Sequence, residues 1–169
     1  MKYLCILCFL ALFFSCDDGD LQIETINFDS VTISTCESDI TTASTVFFKM
    51  NNKEALILTL KSGLLKNEAS TTQIVSQVPN ASKVTFRTFS DNVTQNYFCD
   101  DIPTTTPSVI EEIEASGGEI WINTTMVTDG TTTSFQHQIE LSEITFITAQ
   151  DERITDLQVS DFGIITTTP

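Results

Sequence analysis

At 169 residues, with 23 acidic side chains against 8 basic ones, the chain carries a formal charge of −15. The length suits one domain with its own core. So acidic a chain repels nucleic-acid phosphates and anionic lipid surfaces alike, so no nucleic-acid partner is expected, and any membrane attachment has to come from something other than a basic patch.

Residues 1–15 have the layout of an export signal: one cation, Lys2, an apolar run over residues 4–14, then small Ser15. Eleven apolar residues are too few to span a bilayer, which needs about 20. The run closes on Phe13-Phe14-Ser15-Cys16, and Asp17-Asp18-Gly19-Asp20 follows. This closing stretch resembles the bacterial lipobox, with Phe13 standing where leucine is usual. The resemblance implies that Cys16 becomes the first residue and is acylated through its thiol, and two or three acyl chains anchor stably where one does not. The plain alternative is a secretory signal that stops at a cysteine. The acidic run resembles the tether of Bacteroidota lipoproteins, which implies an outer-membrane location with display on the cell surface; read on its own it is a solvated spacer. The chain thus divides into a signal peptide (1–15), an acidic tether (16–20) and a folded domain (21–169). Cleavage would leave 154 residues and a charge of −16, since residues 1–15 hold one lysine and no acid.

Five cysteines are present. Cys5 and Cys8 fall in the leader and Cys16 takes the lipid. Cys36 and Cys99 remain, and in an oxidising compartment they are expected to bond, the alternative being two buried thiols.

The domain reads as strands. Leu21 and Ile23, then Ile26 and Phe28, bracket a first one, and Val31 and Ile33 alternate with polar residues in a second that leads to Cys36. Residues 46–60 form a hairpin about Asn51-Asn52, with apolar residues on both faces of both arms, which suggests central, covered strands. A short strand is expected over 73–78 and another over 83–89 with Val84 and Phe86 inward. Residues 91–101 form a helical turn or crossing loop pinned by Tyr97, Phe98 and Cys99. Residues 109–115 are ambiguous between helix and strand and are ended by Gly117-Gly118. The clearest unit is a hairpin over 119–141 about Asp129-Gly130. That turn pairs Thr128 with Thr131, Thr124 with Phe135, Ile122 with His137 and Ile120 with Ile139 on one core-facing side, and sets Trp121 opposite Gln138 on the other. Strand pieces at 144–148, 154–159 and 162–165 complete the chain. With 27 threonines suited to half-exposed pleated faces, and strands about every ten residues, the fold class is all-β: an antiparallel β-sandwich in a single domain.

Chemistry is sparse. The lone His137 sits among apolar residues, as a core histidine does, and a metal site would need partners that are not in view. No G-x-S-x-G, phosphate-binding or dinucleotide motif occurs, and no cofactor is implied. Carboxylates gather at Asp100-Asp101, Glu111-Glu112-Glu114 and Asp151-Glu152. A glycosidase needs two of them facing each other, calcium needs a spaced ligand order that is absent, and solvated loops need neither. Trp121, the single tryptophan, either stacks on a sugar or partner surface, or is covered by the second sheet or by residues 109–115. Asp29-Ser30-Val31 resembles the Bacteroidota O-glycosylation motif, which would load Ser30.

Stretches such as Arg87-Thr88-Phe89-Ser90-Asp91-Asn92-Val93-Thr94, Asn96-Tyr97-Phe98-Cys99 and Ile102-Pro103 resemble flavobacterial lipoproteins of no assigned activity. The resemblance spans under a fifth of the chain and carries over no functional residue. The expected role is a lipid-anchored, non-enzymatic binding or structural module at the outer membrane, whose partner is a glycan or an envelope protein. One alternative is a carbohydrate-binding accessory lipoprotein using Trp121 and Tyr97. The other is a small carboxylate-dependent hydrolase.

Overall fold

The computed structural model describes residues 25–102, 104–154 and 156–169. The leader, Cys16, the acidic run, Leu21 and Ile23 lie outside the described residues. In chain order the elements are β1 (Thr25–Asn27), β2 (Val46–Asn51), β3 (Glu54–Thr59), β4 (Ile74–Gln77), β5 (Lys83–Phe89), α1 (Gln95–Cys99), β6 (Val109–Glu114), β7 (Gly117–Asp129), β8 (Thr132–Ile147), β9 (Arg153–Ile154), β10 (Asp156–Gln158) and β11 (Asp161–Thr167). A first sheet runs β2-β3-β5-β6 and a second runs β11-β8-β7-β4, with β9 beside β8. Within both sheets neighbouring strands are antiparallel. Only β1 and β10 pair in parallel among the described residues. This is the all-β sandwich that the alternation implies.

Alternation explains the packing. Phe47, Leu56, Leu58, Val84, Phe86 and Ile113 point inward from the first sheet, and they meet Ile120, Ile122, Ile139, Leu141 and Ile165 from the second in one buried cluster. Each such side chain contributes roughly 2 kcal/mol by leaving water. Ile113 opposite Phe86 settles residues 109–115 as a strand, because it needs that partner to bury its apolar position.

The apolar residues on the other face of the first hairpin also have a cover. Phe98 of α1 stacks on Phe48 at 4.4 Å, and Tyr97 meets Phe89 edge-on at 5.0 Å. Ala55, Phe89 and Val93 form the small second core beneath them. The Cys36–Cys99 disulfide, with an S–S distance of 2.08 Å, ties this lid to the approach to β2. Of the two arms, β3 is central but β2 is an edge strand.

Both hairpin turns sit one residue later than their sequences suggest. Asn51 pairs with Glu54 and Asp129 with Thr132, so the turns are Asn52-Lys53 and Gly130-Thr131. The positive-φ residue comes first in each, Asn52 at 52° and Gly130 at 61°. That is the arrangement of a type II′ connection, whose first central residue is left-handed. Moving a turn by one residue moves the pairing by two, so faces are kept while partners change. Ile122 therefore faces Ile139, Thr124 faces His137, and Trp121 faces Glu140 rather than Gln138.

Two further expectations are corrected. Val31 and Ile33 are not in a strand: Val31 N–H bonds Phe28 O at 3.1 Å, a tight turn, and only Ser34 bridges to Phe48. Residues 144–147 are not a separate strand but the end of β8, continued through an irregularity at Glu143, φ 53°. Gly118 opposes that irregularity at φ 121°, where a Cβ would lie 2.8 Å from Ile144 Cα. Gly117-Gly118 thus opens β7 instead of merely ending the preceding segment.

Lys49 closes one seam of the sandwich. It is buried on the inward side of β2, and its Nζ donates to Phe28 O (2.7 Å) after β1 and to Asp161 O (2.8 Å) at the start of β11. The ammonium also lies 5.5 Å from the centre of the Phe162 ring.

Candidate functional site

The outer face of the second sheet follows from three registers. Val75 of β4 opposes Trp121 of β7, Trp121 opposes Glu140 of β8, and Glu140 opposes Asp161 of β11. One row of side chains therefore crosses the whole sheet, in the order Val75, Trp121, Glu140, Asp161. Beside it run Gln77, Glu119 and Ser142 on one flank, and Asn123, Gln138 and Ile164 on the other.

The row is held from the flanks. The Trp121 indole N–H donates to Glu119 Oε2 at 2.8 Å, and Gln77 Nε2 donates to Glu119 Oε1 at 2.7 Å. These two donors, the indole first, hold the Glu119 carboxyl below its ordinary range despite an opposing desolvation effect. Gln138 Nε2 donates to Asp161 Oδ1 at 3.0 Å. The Glu140 carboxylate has no hydrogen-bond or ion-pair partner among the described residues. A shallow, open depression of about 320 Å³ lies here, lined by Trp121, Glu140, Leu141, Ser142, Ser160 and Asp161. Neither the second sheet's own neighbours across the core nor residues 109–115 cover Trp121. The first sheet lies on the other side of the core, and β6 belongs to it.

The chain matches no known protein family model. No curated protein and no solved structure is significantly similar to it either. The site is therefore read from its own geometry.

Chemically, the row offers an aromatic face and two carboxylates with free oxygens. It can accept from sugar hydroxyls, hold a cationic group, or place two acids side by side. Two carboxylates directly opposite on one face repel each other, a cost that strands ordinarily avoid.

Other sequence candidates fall elsewhere. Tyr97 is half-buried on the outer side of the first sheet, so it and Trp121 are on opposite sides of the sandwich and share no platform. Ser30 is exposed in the turn after β1, where the Asp29 carboxylate accepts from Asp161 N–H (3.1 Å) and Ser160 Oγ (3.3 Å). Glu114 pairs with Lys83 at 3.0 Å and Glu112 with Arg87. Among the described residues no three His, Cys, Asp or Glu side chains gather as a metal site.

His137 is fully buried and engaged on both nitrogens. Thr167 Oγ1 donates its hydrogen to Asn67 Oδ1 (2.6 Å), so it accepts from His137 Nε2–H at 2.9 Å. Nδ1 is then the acceptor for the Thr124 hydroxyl at 2.8 Å. Burial pushes this imidazole below its ordinary value, which keeps it neutral. It is a structural strut between β7, β8 and β11.

The Glu140–Asp161 pair is not legible in the sequence, because the two lie 21 residues apart on strands whose pairing no local pattern encodes. Strand parity alone places Glu140 on the outer face, and that was the available signal.

Proposed function

We propose that this chain is a lipid-anchored outer-membrane protein, tethered through acylated Cys16, whose β-sandwich is a non-enzymatic binding module. The lipobox-like leader ending at Cys16 carries the reading. The Cys36–Cys99 bond supports it, since disulfides persist in oxidising compartments. Binding is favoured over catalysis because the Trp121 depression is open on a flat sheet face, without walls to exclude water from a reacting group.

Membrane fractionation tests the tether. Cys16→Ser is expected to release the protein to the soluble fraction and to abolish labelling by a fatty-acid precursor. Unchanged membrane partition in that variant overturns the reading. A second reading, carbohydrate binding, is favoured by the half-bare Trp121 beside hydroxyl and carboxylate acceptors, but it rests on that one ring without Tyr97.

A further inference from the structure

We infer that the outer face of the second sheet docks a basic polypeptide segment, with its lysine or arginine side chains lying over Trp121 and between Glu140 and Asp161. The inference rests on the binding-module reading and names the class of partner.

Charge complementarity carries it. None of β4, β7, β8 and β11 contains a lysine or arginine, whereas the first sheet has Lys49, Lys83 and Arg87. Arg153 of β9 sits at the far end of β8, against Thr145 Oγ1 at 3.4 Å. Lys49 lies beneath the seam with its ammonium committed to main-chain carbonyls. On the first sheet, outward carboxylates are matched by cations, Glu114 by Lys83 and Glu112 by Arg87. On the second, Glu140 and Asp161 oppose each other, and among the described residues neither has an ion-pair partner, although the field of the buried Lys49 reaches Asp161 from beneath. A fold tolerates that kind of local conflict at the places it uses.

The row adds what a cationic side chain needs besides charge. Tryptophan is the strongest aromatic partner of a cation, and here its indole N–H is held by Glu119, which Gln77 holds in turn. Val75, 47% exposed, lies on the far side of Trp121 from the acidic pair, and Ile164, 56% exposed, lies beside that pair opposite Gln138, so each end of the row has an apolar contact for the stem of a long basic side chain. A central aromatic with a polar surround is the composition of an interface hot spot. A second copy of this chain would bring acid against acid, and a neutral glycan would leave Glu140 without a counter-charge.

The full-length chain in detergent can be titrated with a hexa-arginine peptide while emission is followed. The chain has one tryptophan, so the signal reports this face alone. A saturable change in Trp121 emission is expected, weakened about tenfold in Glu140→Gln/Asp161→Asn. Asp100→Asn/Asp101→Asn, which removes the same charge from the loop after α1, should leave the affinity nearly unchanged. Circular dichroism checks that both variants keep their sheets. Equal weakening by the two pairs would show general attraction to an acidic chain and overturn the inference. So would an emission unmoved by the peptide, or one that answers maltohexaose instead. Any of those results with Cys16-dependent partition intact removes this inference and leaves the tether standing.

Discussion

At the scale of single residues, His137 shows how a fold disposes of its only titrating imidazole. Its neutral form is held between Thr124 and Thr167, and its pKa is pushed below the ordinary 6.5 by burial. The folded state therefore binds fewer protons than the unfolded state in that range. The contribution is complete above the unfolded value and falls as pH drops through it towards the folded one, levelling off below. Urea midpoints at about pH 8 and about pH 5 should differ more in the native chain than in His137→Asn, which has no imidazole to protonate. An equal pH dependence in both would remove His137 from the account. The histidine's core position was legible from strand parity. Its two hydroxyl partners were not, since Thr167 comes from a strand 30 residues away.

At the scale of elements, the apolar outer face of the first hairpin was visible in the sequence, but the cover was not. Five residues of α1, with no buried residue of their own, lay Tyr97 and Phe98 over Phe48 and Phe89. So short a helix is not stable by itself. The Cys36–Cys99 bond, closing a separation of 63 residues, holds it down. Cys36→Ser/Cys99→Ser should lose about 4 kcal/mol on the chain-entropy model, read as a lower urea midpoint. Hydrogen exchange should rise first in α1 and the outer side of β2. Protection lost evenly over both sheets would contradict the lid. The hairpins teach a related lesson: Asn-Asn and Asp-Gly announce a turn, yet which residue is left-handed depends on how the strands are matched. One residue of turn placement changed the neighbour of Trp121 from an amide to a carboxylate.

At the scale of the whole molecule, Lys49 joins the strands that a sandwich leaves apart at its seam. Burial lowers its pKa, and the fields of Asp161 and Asp29 oppose that shift. Its ammonium satisfies carbonyls from two separate segments. Lys49→Met keeps the stem's packing but orphans both carbonyls, and should cost about 3 kcal/mol. The urea midpoint is expected to fall with an unchanged slope. A neutral or stabilising substitution would show that water reaches those carbonyls and that the pin is dispensable. The charge asymmetry between the sheets also belongs to this scale. It is written in the composition of the strands, but it becomes a surface only when β4, β7, β8 and β11 lie side by side.

Strand content, inward alternation, the two half-cystines and the outward side of Trp121 were determined by the sequence itself, because period-two patterning and cysteine chemistry act over a few residues or without regard to order. The tertiary structure alone decided that Tyr97 and Trp121 face away from each other. It also decided that Glu140 meets Asp161, and that a lysine rather than an apolar side chain closes the seam. Those relations depend on which distant strands become neighbours, and that choice is made by the joint burial of the core and not by any local stretch of chain.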